Sequence, residues 1–94
     1  MMTFETFDSL LSQPFELESA EGYRLPLQLA ECQRACAGGP PGGFSLIFET
    51  DVQPHWPQGT YWLHHPALTP EILFVVPIGP PPASGLMRYQ IVFG

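Results

Sequence analysis

Phe4, Phe7, Leu10 and Leu11 recur at spacings of three and four along TFETFDSLLS, residues 3–12. That period predicts a short N-terminal helix or helical turn, with Thr3 as its N-cap and Asp8 facing out. The period then falls to two. In PFELES, Phe15 and Leu17 alternate with Glu16 and Glu18, the mark of a half-buried strand. After the turn AEG, a second strand sets Tyr23, Leu25, Leu27 and Leu29 against Arg24, Pro26, Gln28 and Ala30. Pro26 cannot donate to a ladder, so this strand is expected at a sheet edge or with a bulge at the proline.

The stretch ACAGGPPGG reads as a loop. Beyond it, FSLIFET alternates Phe44, Leu46 and Phe48 with Ser45, Ile47 and Glu49, and a proline-broken connection leads to TYWLHH. There Tyr61 and Leu63 share one face, Trp62 and His64 the other. EILFVVPIG is apolar on both faces, which suits a central strand or one covered by the N-terminal helix. GPPPASG turns the chain into MRYQIVF, where Tyr89, Ile91 and Phe93 alternate with Arg88, Gln90 and Val92. Six strands joined by short, non-helical connections predict an all-β, antiparallel sandwich or small barrel with a short N-terminal helix. The 94 residues form a single domain, 1–94.

Charge narrows the partners. The chain has no lysine, three basic and nine acidic residues and a formal charge of −6, so it lacks the basic cluster that nucleic acid or an anionic membrane surface requires. No apolar run approaches the ~18 residues of a spanning helix. The acidic N-terminal stretch has no basic, apolar leader, so a cytoplasmic location is expected, with release by a leaderless route left open.

The stretch QGTYWLHHP, Gln58 to Pro66, raises the question of a site. Neighbouring strand residues point to opposite faces, so His64 and His65 do not easily share one ligand. His65, held extended by Pro66, is expected to hydrogen-bond backbone at a turn, and His64 to be solvated. A zinc site would need Cys32, Cys36, His55 and His64 or His65 to converge, yet on a strand the two cysteines lie ~13 Å apart. Two free, mostly buried thiols are the simpler expectation. Glu16 with Glu18, and Glu49 with Asp51, read as solvated strand faces. No phosphate-binding loop and no Gly-x-Ser-x-Gly elbow are present. What remains is surface: Trp56 and Trp62 beside His55 and His64 form a candidate interface. Gly59, His65, Pro66, Gly79 and Pro80 are assigned to turns and structure.

FSLIFET, QGTYWLHHPAL, ILFVVPIGPPP and RYQIVF, in this order, resemble a family of small bacterial proteins known only as a domain of unknown function. Phe4 and Phe7, Phe44 to Phe48, Gln58 to Tyr61, His65 and Pro66, Val76 to Pro80, and Tyr89 to Phe93 carry the resemblance, which spans nearly the whole chain. Relatives of this kind are often encoded beside proteins resembling phage-tail collar or fibre components, which implies an accessory or assembly role. Cys32, Cys36 and the loop Gly38 to Gly43 depart from the pattern, so nothing about them carries over.

The expected function is a non-enzymatic structural or accessory domain acting through a protein partner or self-association, such as a homodimer, without cofactor or metal. Edge strands around Pro26 or in MRYQIVF would provide the contact. The rivals are a small-ligand-binding barrel with aromatics at its mouth, and a metal-dependent enzyme built on the histidines and cysteines.

Overall fold

Thr3 opens the first element as its residue type suggests: its Oγ1 accepts the Thr6 N–H at 3.2 Å and caps the short helix α1, Phe4–Asp8. The strands follow as β1 (Pro14–Glu18), β2 (Arg24–Arg34), β3 (Phe44–Thr50), β4 (Gly59–His65), β5 (Leu68–Pro77) and β6 (Met87–Phe93). The structure, a computed structural model, describes residues 3–34, 43–51, 56–78 and 85–93. Cys36, His55, Gly79, Pro80 and the glycine and proline runs beside them lie outside the described residues.

Every strand pairing is antiparallel, and the sheet closes as a barrel in the order β1-β2-β3-β6-β5-β4. Of the two architectures expected from the sequence, the barrel is the one formed. Closure corrects the two edges expected at Pro26 and in MRYQIVF, because β2 lies between β1 and β3, and β6 between β3 and β5. Pro26 pairs with Glu16, while the β2–β3 register begins only at Gln28. The Pro26 carbonyl accepts from Thr50 Oγ1 at 2.8 Å, on the β3 side. A strand residue's carbonyl and amide point the same way, so the missing N–H faces the end of β3, where no ladder bond is required.

The bulge in β2 falls instead between Leu29 and Glu31, at Ala30. One extra residue reverses the alternation. Cys32, which a strict period of two from Leu25 would turn outward, thereby pairs with Leu46 and packs against the core. A second irregularity, in β5 between Leu68 and Glu71, absorbs Pro70 opposite His64.

Tyr23 is the third correction. It is 70% exposed and precedes β2, because it belongs to the β1–β2 turn: its carbonyl accepts the Ser19 N–H and its own N–H reaches Ser19 Oγ. Gly22 takes φ +90° there, a conformation that other residues adopt at a cost.

The barrel interior is solid. Leu17, Leu25, Leu29, Leu46, Phe48, Leu63, Val75, Tyr89 and Ile91 are each exposed by 1% or less. Eight strands enclose just enough space for side chains to fill, so six leave no lumen for a ligand. One end is plugged by the helix: Phe7 lies fully buried with its ring 6.3 Å from Phe15, 6.0 Å from Phe44 and 5.7 Å from Phe93. At the other end the backbone N–H of Trp56 donates to the Tyr89 hydroxyl at 2.9 Å, and the Tyr61 hydroxyl donates to the Pro57 carbonyl at 2.5 Å. Burial raises the pKa of both phenols, so both hydroxyls remain protonated, Tyr61 as the donor and Tyr89 as the acceptor.

Of the two readings of EILFVVPIG, the strand with neighbours on both sides is the one formed: β5 is flanked by β6 and β4, and the helix does not cover it. The aromatic residues of the helix pack instead on Phe15, Phe44 and Phe93, leaving Ile72 and Phe74 of β5 55% and 53% exposed.

The plug yields a direct prediction. Phe7→Ala opens a cavity at the centre of the aromatic cluster and is expected to cost about 3–5 kcal/mol. Leu11→Ala, at a residue 39% exposed, should change stability by less than about 0.5 kcal/mol. Urea unfolding of the two variants measures both, and equal midpoints would refute the plug.

Candidate functional site on the outer face of β1, β4 and β5

Closure places β1 against β4 with the pairs Glu16↔His64, Leu17↔Leu63 and Glu18↔Trp62. The leucines point inward, so the flanking residues of each strand must point out. Beyond β4, the pairs Trp62↔Ile72 and Thr60↔Phe74 extend the same outer surface over β5. One face therefore runs from Glu16 and Glu18, through His64 and Trp62, to Ile72 and Phe74.

At its centre His64 is held, and its expected solvation is corrected. Nε2–H donates to Glu18 Oε1 at 2.7 Å, and the imidazole and carboxylate side chains are only 22% and 27% exposed. A carboxylate accepts and does not donate, so Nε2 is the ring nitrogen that carries the hydrogen toward Glu18. Arg24 ties in the remaining acids, with Nη1 2.9 Å from Glu16 Oε1 and Nη2 3.6 Å from Glu18 Oε1. Glu16, Arg24, Glu18 and His64 thus form one chain of charged and polar groups.

His65 faces the other way, as the alternation requires. Its Nδ1 accepts the Ala67 N–H at 3.0 Å, its Nε2–H donates to Gln13 Oε1 at 2.8 Å, and its ring lies 4.6 Å from Phe15. Both ring nitrogens are occupied, and the backbone bond at the turn is the one expected from the sequence. Pro66 continues that turn into β5, and Gly59 opens β4 opposite Val75.

Between these strands lies a groove of about 490 Å³. Pro14, Pro26 and Pro66 wall it together with Phe15, and Glu16, His64 and His65 supply its polar groups. Beside it the surface turns apolar: Trp62 is 40% exposed, next to the half-exposed Ile72 and Phe74. Trp56 is placed differently, packed against the core with its ring 5.2 Å from Tyr61. Of the tryptophans singled out, Trp62 alone belongs to this face.

Of the donors weighed for zinc, Cys36 and His55 lie outside the described residues, and Cys32 is remote from the histidines. Cys32 lies six residues along β2 from Pro26, roughly 20 Å at ~3.3 Å per residue, while Pro26 borders the histidine groove. Among the described residues no three His, Cys, Asp or Glu side chains cluster as metal ligands. The sequence reading missed Glu18 as the partner of His64, and missed Pro14, Pro26, Ile72 and Phe74 as surface features. The two-faced apolar pattern of EILFVV was the available signal for the last pair.

Cys32 itself is a poor nucleophile. Burial, with a smaller contribution from Asp8, raises its thiol pKa to about 11. In a Cys36→Ser variant, iodoacetamide labelling at pH 8 should be slow and should accelerate only as the pH nears 11, with half-maximal labelling near pH 9 counting against this environment. The unfolded chain would release the Cys32 proton first, so stability is expected to fall as pH rises from about 9 toward about 11.

Comparison with known proteins bears on the whole chain. No curated protein and no solved structure matches it. A family model described as a domain of unknown function, DUF6916, matches residues 2–93. The match reaches from just before the capped helix to the last residue of β6, and the chain belongs to the DUF6916 family.

Proposed function

We propose that the chain is a non-enzymatic binding module that engages a protein partner through the outer face of β4 and β5. The observation that carries this reading is the strip formed by Trp62, Ile72 and Phe74, three large apolar side chains in adjacent registers, each 40% or more exposed. Such strips on a small domain mark interaction sites, and tryptophan is a frequent energetic anchor in them. The filled interior supports a role outside the barrel. His64 has an orienting acid, yet among the described residues the lining of the groove contains no Ser, Cys or Thr to serve as a nucleophile.

The family resemblance extends the proposal to an accessory or assembly component working beside tail-collar-like proteins. Because closure leaves no open edge among the described strands, the contact is proposed at this side-chain surface instead of at the strand edges expected from the sequence.

Site-directed photo-crosslinking tests the reading. p-Benzoylphenylalanine replaces Phe74 in one variant and Gln33 in another, since β2 and β5 lie three places apart around the six-stranded barrel. In cells that make the protein, position 74 should give a discrete adduct with one protein, lost on Trp62→Ala, and position 33 should give none. The proposal falls if position 74 gives no adduct or if both positions capture the same proteins.

A further inference from the structure

The groove beside the apolar strip has a chemistry of its own. Arg24 engages only one oxygen of Glu16, and that side chain is 49% exposed, so its second oxygen remains open to a ligand. With Nε2–H turned to Glu18, the neutral form of His64 offers a lone pair on Nδ1. The groove thus presents two acceptors between proline walls, and the one guanidinium at its side is already shared between two carboxylates.

The charge balance of the whole chain points the same way. Its three arginines are all paired internally: Arg24 with Glu16 and Glu18, Arg34 with Glu5, and Arg88 with Glu31 and Glu49. Nine acids stand against these three bases. An anionic ligand would meet Glu16 and Glu18, whereas a cationic head on an apolar stem would find both acceptors and a wall for its methylenes.

We infer that the groove seats an arginine or lysine side chain of the protein partner, whose neighbouring apolar residues cover Trp62, Ile72 and Phe74. This inference rests on the binding-module reading and names the partner's chemistry. A second copy of the chain is a poor occupant: it contains no lysine, its arginines are engaged, and it carries the same charge of −6. A groove of about 490 Å³ lies within the ~300–1,000 Å³ typical of ligand sites and holds one long side chain with part of its backbone.

The test uses the whole chain, labelled with 15N, and N-benzoyl-arginine amide as the probe. Saturable amide shifts are expected at Glu16 and from His64 to Ala67, with affinity at least tenfold weaker for benzoyl-glycine amide, which lacks the cation. Glu16→Gln preserves shape, and the same tenfold loss is expected in that variant, with its dispersed spectrum reporting an intact fold. Equal affinity for the two probes, or no saturable shift at the groove, would overturn the inference. The two readings separate cleanly: an adduct from position 74 with an unresponsive groove removes the cation and leaves the binding module. Groove shifts without that adduct support the cation site and remove the protein partner.

Discussion

The structure depends on closing the sheet through β1. This strand of five residues is short, yet Leu17 pairs with Leu25 on one side and with Leu63 on the other and is 1% exposed. Without those three leucines in register, β2 and β4 would each present an open edge to other chains. With them, the described strands all have neighbours on both sides, and the inward set of every strand converges on one solid interior. A solid interior leaves outward side chains and the rims as the surfaces on which the proposed binding would have to occur.

The same registers that bury leucines assemble the outer face. Leu17 against Leu63 places Glu18 beside Trp62 and Glu16 beside His64, so the composition of that face is dictated by closure. Magnitudes separate the roles of its charged groups. The Arg24–Glu16 pair is nearly half exposed on both sides, and such pairs contribute about 0–1 kcal/mol. Its effect on stability is small, and its main effect is on the charge the face presents. The His64–Glu18 bond is more sheltered and links β1 to β4, so it contributes to the seam as well as to the groove.

Much of the fold was legible in the sequence. The cap at Thr3, the period of two in β1, β4 and β6, and the opposite facing of His64 and His65 all follow from local geometry. In β3 the outer set of Ser45, Ile47 and Glu49 is broken by Ile47, which is buried. The misreadings have one physical origin, which is that they depend on which strands meet. Pro26 reads as an edge until the ladder is known to stop at Gln28. His64 reads as solvated until β1 brings Glu18 across a sequence separation that no spacing rule covers. The bulge at Ala30 carries no residue signature, yet it decides that Cys32 packs inward. The candidate site was legible at Trp62 and His64 alone, because its remaining members come from β1, β2 and β5.

The apolar outer strip has two explanations, and its three residues do not divide equally between them. Cross-strand pairs of large apolar side chains stabilise a sheet by roughly 0.2–1 kcal/mol. Trp62 opposite Ile72 is such a pair, and sheet stability accounts for part of its presence. Phe74 faces Thr60, which offers a phenyl ring little surface, and the ring remains 53% exposed. A threonine or valine at that position would serve β5 as well without exposing the ring to water. Of the three residues, Phe74 is the one for which packing within the barrel supplies the least reason, and contact with another molecule the most.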